Sequence, residues 1–247
     1  MRRLISSASK FCATAGVVAL VVGFVAPPAA SAQQMLNFTL GGFVPRGGDC
    51  IEPHCTGRTN GDVLVNNLDF LGFDMKDFNG PTFGAEYLVG LGNSFEAGLG
   101  VGYYHRTSPA VYLDFVNSDG SEIEQDLKLR VIPFSATVRF LPMGRNNGLG
   151  IQPYIGGGVG VFSWRYTETG QFLATDSSIF RDTFEASGSV AGPVVLGGVR
   201  FPIGPAAIGG EVRWQKAEGD LPASQDFSGT KIDLGGFTYN FTVGFRF

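Results

Sequence analysis

The last twelve residues, Gly236 to Phe247 (GFTYNFTVGFRF), leave the chain little freedom. Phe237, Tyr239, Phe241, Val243, Phe245 and Phe247 take every second position, and Gly236, Thr238, Asn240, Thr242, Gly244 and Arg246 lie between them. Period two puts the two sets on opposite faces of an extended strand. A water-soluble protein rarely carries so long a strand with four Phe and a Tyr on one side. A span of roughly ten residues, apolar outward and small or polar inward, is what a membrane barrel requires.

The same alternation recurs upstream. A first strand is expected over Met35 to Val44, a second over Thr82 to Gly92 and a third over Phe95 to Arg106. The fourth ends at Phe140, the fifth covers Ile151 to about Tyr166, and the sixth Ser189 to Phe201. Ala206 to Ala217 and the closing stretch complete eight. Connections alternate long and short, as in an up-and-down antiparallel barrel with long extracellular loops and short periplasmic turns. The expected fold is therefore all-β, a single transmembrane barrel. Closure is required because an open sheet edge in lipid leaves unpaired backbone groups. A lipocalin-like soluble barrel is the competing reading. It would bury the aromatics, whereas here the charges share a face with the glycines.

Two connections carry more than polar filler. Asn117-Ser118-Asp119-Gly120 is a hairpin-turn signal between VYLDFV and EIEQDLKLR, which should pair above the membrane. Pro45 to Pro81 is long and holds the apolar Val63 to Phe73. That segment folds over the mouth, enters the lumen or adds a strand; the last case would make ten strands instead of eight.

Met1 to Ala32 reads as a cleaved secretory leader, with Arg2, Arg3 and Lys10 before a short apolar core and Ala30-Ser31-Ala32 at the cut. The barrel domain is then 33–247. A membrane anchor is the alternative, and the short apolar run argues against it. Removing 32 of 247 residues leaves 215, with 15 basic against 22 acidic side chains, a formal charge of −7. That balance argues against a nucleic-acid binder, which usually carries a basic stripe. Thirty-seven glycines argue against a helical protein. In the exported chain Cys50 and Cys55 are expected to form one local disulfide. A metal site on Cys50, His54 and Cys55 lacks a fourth ligand, so no metal or cofactor is expected.

Glu86, Glu96, Arg139, Arg200, Glu211, Arg213 and Arg246 fall on the inner face. An eight-stranded barrel is filled by its own side chains, so these should pair as an ion-pair network that plugs it. Tyr103, Trp164, Tyr166 and Trp214 are expected in an outer interfacial girdle. His105 and Ser108 are the only hint of a lipid-modifying enzyme. An offset of three puts them on opposite faces of a strand, which argues against a nucleophile and base in contact.

The terminal strand, with Tyr239, Phe241, Val243, Phe245 and Phe247, resembles the C-terminal insertion signal of bacterial outer-membrane proteins. The whole pattern resembles the small outer-membrane barrels of the OmpA/OmpW type. That resemblance implies a location in the outer membrane, lipid as surroundings, and the barrel-assembly machinery as a partner during insertion. It also implies a peptidoglycan-binding domain in longer members, not expected here. A non-enzymatic envelope or surface role is the leading reading, and a narrow channel for a small apolar ligand or solute is the alternative.

Overall fold

The computed structural model describes residues 34–46, 61–145, 148, 150–174 and 176–247. The expected leader, its cleavage site, Cys50, His54 and Cys55 lie outside these residues. In chain order the elements are β1 (Gln34–Pro45), α1 (Val63–Asn67), β2 (Leu71–Gly72), a 3-10 turn (Met75–Phe78), β3 (Gly80–Leu91), β4 (Phe95–Val116) and β5 (Glu122–Phe140). Then follow β6 (Gln152–Leu173), β7 (Ile179–Ile203), β8 (Ala206–Gln215), β9 (Glu218–Asp220), β10 (Lys231–Asp233) and β11 (Gly236–Arg246).

Eight of these strands close into an antiparallel ring, β1-β3-β4-β5-β6-β7-β8-β11 and back to β1. The terminal strand closes it, from Met35 opposite Arg246 to Pro45 opposite Gly236. Val63 to Phe73 adds no barrel strand. It forms α1 and then β2, which pairs only with Val111 and Tyr112 of β4.

Side-chain facing follows period two along most of the wall, but its chemistry inverts partway up. In the lower part of β5, Phe134 and Val138 face out while Ser135, Thr137 and Arg139 face in. Higher on the same strand, Ile123, Leu127 and Leu129 face in, and Glu124, Lys128 and Arg130 alternate with them. β6 inverts between Val161, which faces out, and Trp164 and Tyr166, which face in. Below the inversion the outer surface is an apolar belt, with Leu99 65% and Phe241 54% exposed. The belt spans about nine to eleven residues per strand, the length a tilted transmembrane strand needs. Above it the wall has the polar exterior and apolar interior of a soluble barrel.

This inversion explains one difference from expectation. Thr167 to Gly188 is not a long connection. β6 and β7 run on as a hairpin, paired without a shift from Gln152 opposite Arg200 to Leu173 opposite Ile179. EIEQDLKLR pairs mainly with His105 to Val111; of VYLDFV only Val111 and Val116 pair with it, opposite Glu124 and Glu122, across an irregularity. On the opposite end of the barrel the connections are short. Gly92 turns with a φ of +73° and Gly204 with +59°, left-handed values that favour glycine.

Candidate functional site: the closed interior

The interior of the membrane-level barrel holds two ionic clusters. In the upper one, the Arg139 guanidinium donates from Nη2 to Glu86 and to Glu211 Oε2, the latter at 2.7 Å. Arg213 donates from Nη2 to Glu211 Oε1 at 3.0 Å and lies 3.6 Å from Glu86. Thr137 Oγ1 donates to Glu86 at 3.2 Å, and Tyr154 Oη to Glu211 at 3.1 Å. Arg139 is 1% exposed and Glu86 and Glu211 are 3%. Two arginines face two glutamates, so this cluster is neutral, as charges in such a place must be. Glycine makes room for it: a Cβ at Gly98 would press on Glu86 and Thr137, and one at Gly156 on Arg139.

The second cluster lies toward the short turns. Arg200 donates from Nη2 to Glu96 and from Nε to Gln152 Oε1 at 2.9 Å. Arg246 shares that acceptor at 2.8 Å, and Arg145 Nε lies 3.6 Å from Glu96. The Tyr154 ring links the clusters, with Arg139 4.7 Å and Arg200 5.8 Å from its centroid. Burial first, and the Arg200 charge after Glu96 has opposed it, lower the pKa of Arg145 in its turn.

Between the upper cluster and the mouth lies a cavity of about 60 Å³, room for a few waters. Arg213, Ser135, Thr39 and Asn240 contribute its polar lining, and Tyr104 and Phe162 are among its apolar lining. Here the β4–β5 ladder is interrupted at Gly102–Tyr103 and Ile132–Pro133, since Pro133 has no N–H to donate.

Above the cavity the mouth is filled. Val63, Leu64, Leu71 and Phe78 of the first connection pack with Leu127, Phe162, Trp164 and Tyr166 of the wall, and with Ile232 and Leu234 of the last connection. Asp62 caps α1, accepting from Leu64 N and Val65 N at 2.9 and 3.0 Å, and its other oxygen accepts from Asp233 N. Thr230 N and Lys231 N donate to Gly61 O. The two long connections are thus clasped to each other. Glu168 Oε1 accepts from Asn67 and from Tyr166 Oη, both at 2.8 Å. Burial raises the pKa of Glu168, against the two hydrogen bonds that lower it.

All seven charged residues expected inside are found in these two clusters. Arg145, Gln152 and Tyr154 were not expected there. Tyr154 could have been found, since it shares parity with Gly156 and Gly158. Arg145 sits in a polar turn with no periodicity to place it.

The girdle needs correcting. Tyr103 faces out, 45% exposed, and Trp214 shares the outer face with Val212. Trp164 and Tyr166 do not: they are 4% and 0% exposed and pack in the core of the mouth. Their even numbers put them on the face of Gly156 and Gly158, and parity overrides the preference of aromatics for an interface. Phe241, Phe245 and Phe247 lie on the outer surface with Tyr239. His105 is exposed on the outer wall and Ser108 is fully buried inside it, so the two do not meet.

No family model and no curated protein matches this chain. Among solved structures, outer membrane protein OprG from Pseudomonas aeruginosa aligns at 14% identity, covering 87% of this chain and 96% of its own, with a TM-score of 0.50. Neisserial surface protein A aligns at 12% identity over 87% of this chain and 97% of its own, TM-score 0.45. AlkL, an outer membrane protein solved in lipid bilayers, aligns at 18% identity over 90% and 95%, TM-score 0.34. The likeness to OprG is one of fold, and it agrees with the ring and belt above: this chain has the small outer-membrane β-barrel fold.

Proposed function

We propose that this protein is an integral, non-enzymatic barrel of the bacterial outer membrane whose lumen is closed and whose work is done by its extracellular surface. One observation carries the reading. The axial path crosses two stacked barriers of opposite chemistry, the buried ionic clusters around Arg139 and Arg200 and the apolar core around Leu64 and Trp164. A solute would have to part ion pairs in a low dielectric and then displace a packed core. Above the belt, β4 to β7 stand as one sheet, with Leu113, Phe115, Val116, Ile179 and Phe180 exposed toward its tips. Exposed apolar groups in such a place support a role in surface contact.

The second reading is a narrow channel for small or apolar solutes. It draws on the cavity beside Arg213 and on the ladder interruption next to it. Liposome swelling separates the two. Vesicles carrying the refolded barrel should swell no faster in arabinose than empty vesicles. Swelling that scales with protein content would sink the closed-barrel reading and favour the channel.

A further inference from the structure

One level of the outer wall, just above the apolar belt, carries a row of polar side chains without a carboxylate. His105 of β4 lies opposite Arg130 of β5, Arg130 opposite Arg165 of β6, and Arg165 opposite Ser187 of β7. Direct cross-strand partners share a face, and alternation with the buried Leu129, Tyr166 and Ala186 puts this row outside. Like charges directly opposite each other destabilise a sheet, yet Arg130 and Arg165 are partners in an unbroken stretch of ladder. Among the described residues, Arg165 has one carboxylate partner, Glu185 at 3.4 Å, and Arg130 has none. Both members of the Arg165 pair are about half exposed, where an ion pair contributes little. Height on the wall sets what surrounds the row. Ile132 and Tyr103, two residues below Arg130 and His105 on the same face, are the top of the belt. Two residues advance roughly 7 Å along a strand, and about 5 Å along the membrane normal at the tilt of a barrel. A headgroup layer is about 5–8 Å thick on each side of the hydrocarbon. The row therefore stands at headgroup level, on the extracellular side where β6 and β7 run on as a hairpin.

We propose that Arg130 and Arg165, flanked by His105 and Ser187, hold the phosphate of an outer-leaflet glycolipid whose acyl chains lie on the belt below. A phosphate monoester carries nearly two negative charges at neutral pH, which answers the repulsion between the two guanidinium groups. Its oxygens accept from planar guanidinium forks, the geometry for which arginine is suited. Phe134 and Val161, four residues below the two arginines and 51% and 47% exposed, give the chains an apolar seat. A free phosphate ion would meet the same arginines but gain nothing from the belt. A zwitterionic phospholipid brings a phosphate diester together with its own cation. The inference needs only the outer-membrane setting and does not depend on whether the lumen is closed.

The test is lipid retention by the refolded barrel, held on an affinity resin in maltoside micelles at constant ionic strength. Phosphorylated lipid A and the same lipid stripped of phosphate are the probes. Mass spectrometry counts what remains after washing, and a heat-dependent mobility shift on gels verifies folding of every variant. The phosphorylated lipid should be retained at least about tenfold better than the stripped one. Arg130→Gln and Arg165→Gln together should remove that preference, and Lys231→Gln in the mouth should leave it intact. Equal retention of the two lipids, or a preference that the double variant keeps, overturns the proposal. Elution of the bound lipid by millimolar inorganic phosphate would also overturn it, by assigning the site to the free ion. A second readout separates binding from structure. In phosphatidylcholine vesicles Arg130→Gln only relieves repulsion, so the urea midpoint should hold or rise; with phosphorylated lipid A in the vesicles it should fall. The same shift in both vesicles would contradict the proposal.

Discussion

Replacing Arg139 by methionine should be among the most damaging single changes available in the barrel. The side chain is 1% exposed and bonds two carboxylates, Glu86 and Glu211. Methionine keeps much of the volume but leaves two buried glutamates with one arginine, Arg213, to share. Breaking a buried pair from one side costs about 3–5 kcal/mol, because the orphaned charge stays in place. The same reasoning fixes a compensating change. Adding Glu86→Gln restores neutrality, since Glu211 and Arg213 still pair at 3.0 Å. The double variant should recover at least about half of the loss. Urea titrations of the barrel in lipid vesicles, followed by gel mobility and tryptophan fluorescence, would measure both. A loss below about 1 kcal/mol for Arg139→Met, or no recovery in the double variant, would refute the claim that charge balance, and not packing alone, holds the interior together.

Three further expectations concern the mouth. Burial raises the carboxyl pKa of Glu168, and of Asp62 as well. A group with a raised folded-state pKa gives stabilisation that is full below its unfolded value and lost as pH climbs through the folded one. Loop closure should therefore be firmer in acid than at neutral pH, and Glu168→Gln, which keeps an acceptor for Asn67 and Tyr166, should flatten the dependence; hydrogen exchange at α1, corrected for intrinsic rates, reads it. Asp62→Ala removes the cap of α1 and should cost about 1 kcal/mol locally, seen as faster exchange of the Leu64 and Val65 amides with little change at β11. Gly219→Val would drive a side chain into the Trp164 ring, which a Cβ there already crowds. In a Trp214→Phe background, Trp164 emission should shift to the red and become quenchable by acrylamide; an unchanged spectrum would mean that β9 does not seal the ring.

The fold was legible because lipid enforces a single rule at membrane level: the side chain at every other position meets hydrocarbon. Phe237 to Phe247 and Phe83 to Leu91 obey it, and the ring follows from them. Above the bilayer the solvent changes and the rule reverses, though the period does not. Thr167 and Thr169 alternate with Tyr166 and Glu168 in the same parity as below, yet with polar residues outward. Read for outward apolar groups alone, that stretch passes for a loop, and Trp164 and Tyr166 pass for lipid anchors. Parity counted from Gly156 would have placed both inside. The charged interior was readable residue by residue, but not its division into two clusters. The second cluster also takes in Arg145, brought in by a turn and seated where Gly90 has no side chain to obstruct its guanidinium. The apolar Val63 to Phe73 could be seen to need burial. Its partners, Ile232 and Leu234, are more than 150 residues away in sequence, and only the closed ring brings them together.

Single-channel recording from the refolded barrel in a planar bilayer, with wild type beside Arg213→Ala, tests the closed lumen most directly. Neither protein should produce steps, because the variant loses one arginine below a cavity that the core around Leu64 and Trp164 still covers. Discrete steps from wild type, altered in size by the substitution, would contradict closure and make the charged interior the lining of a path.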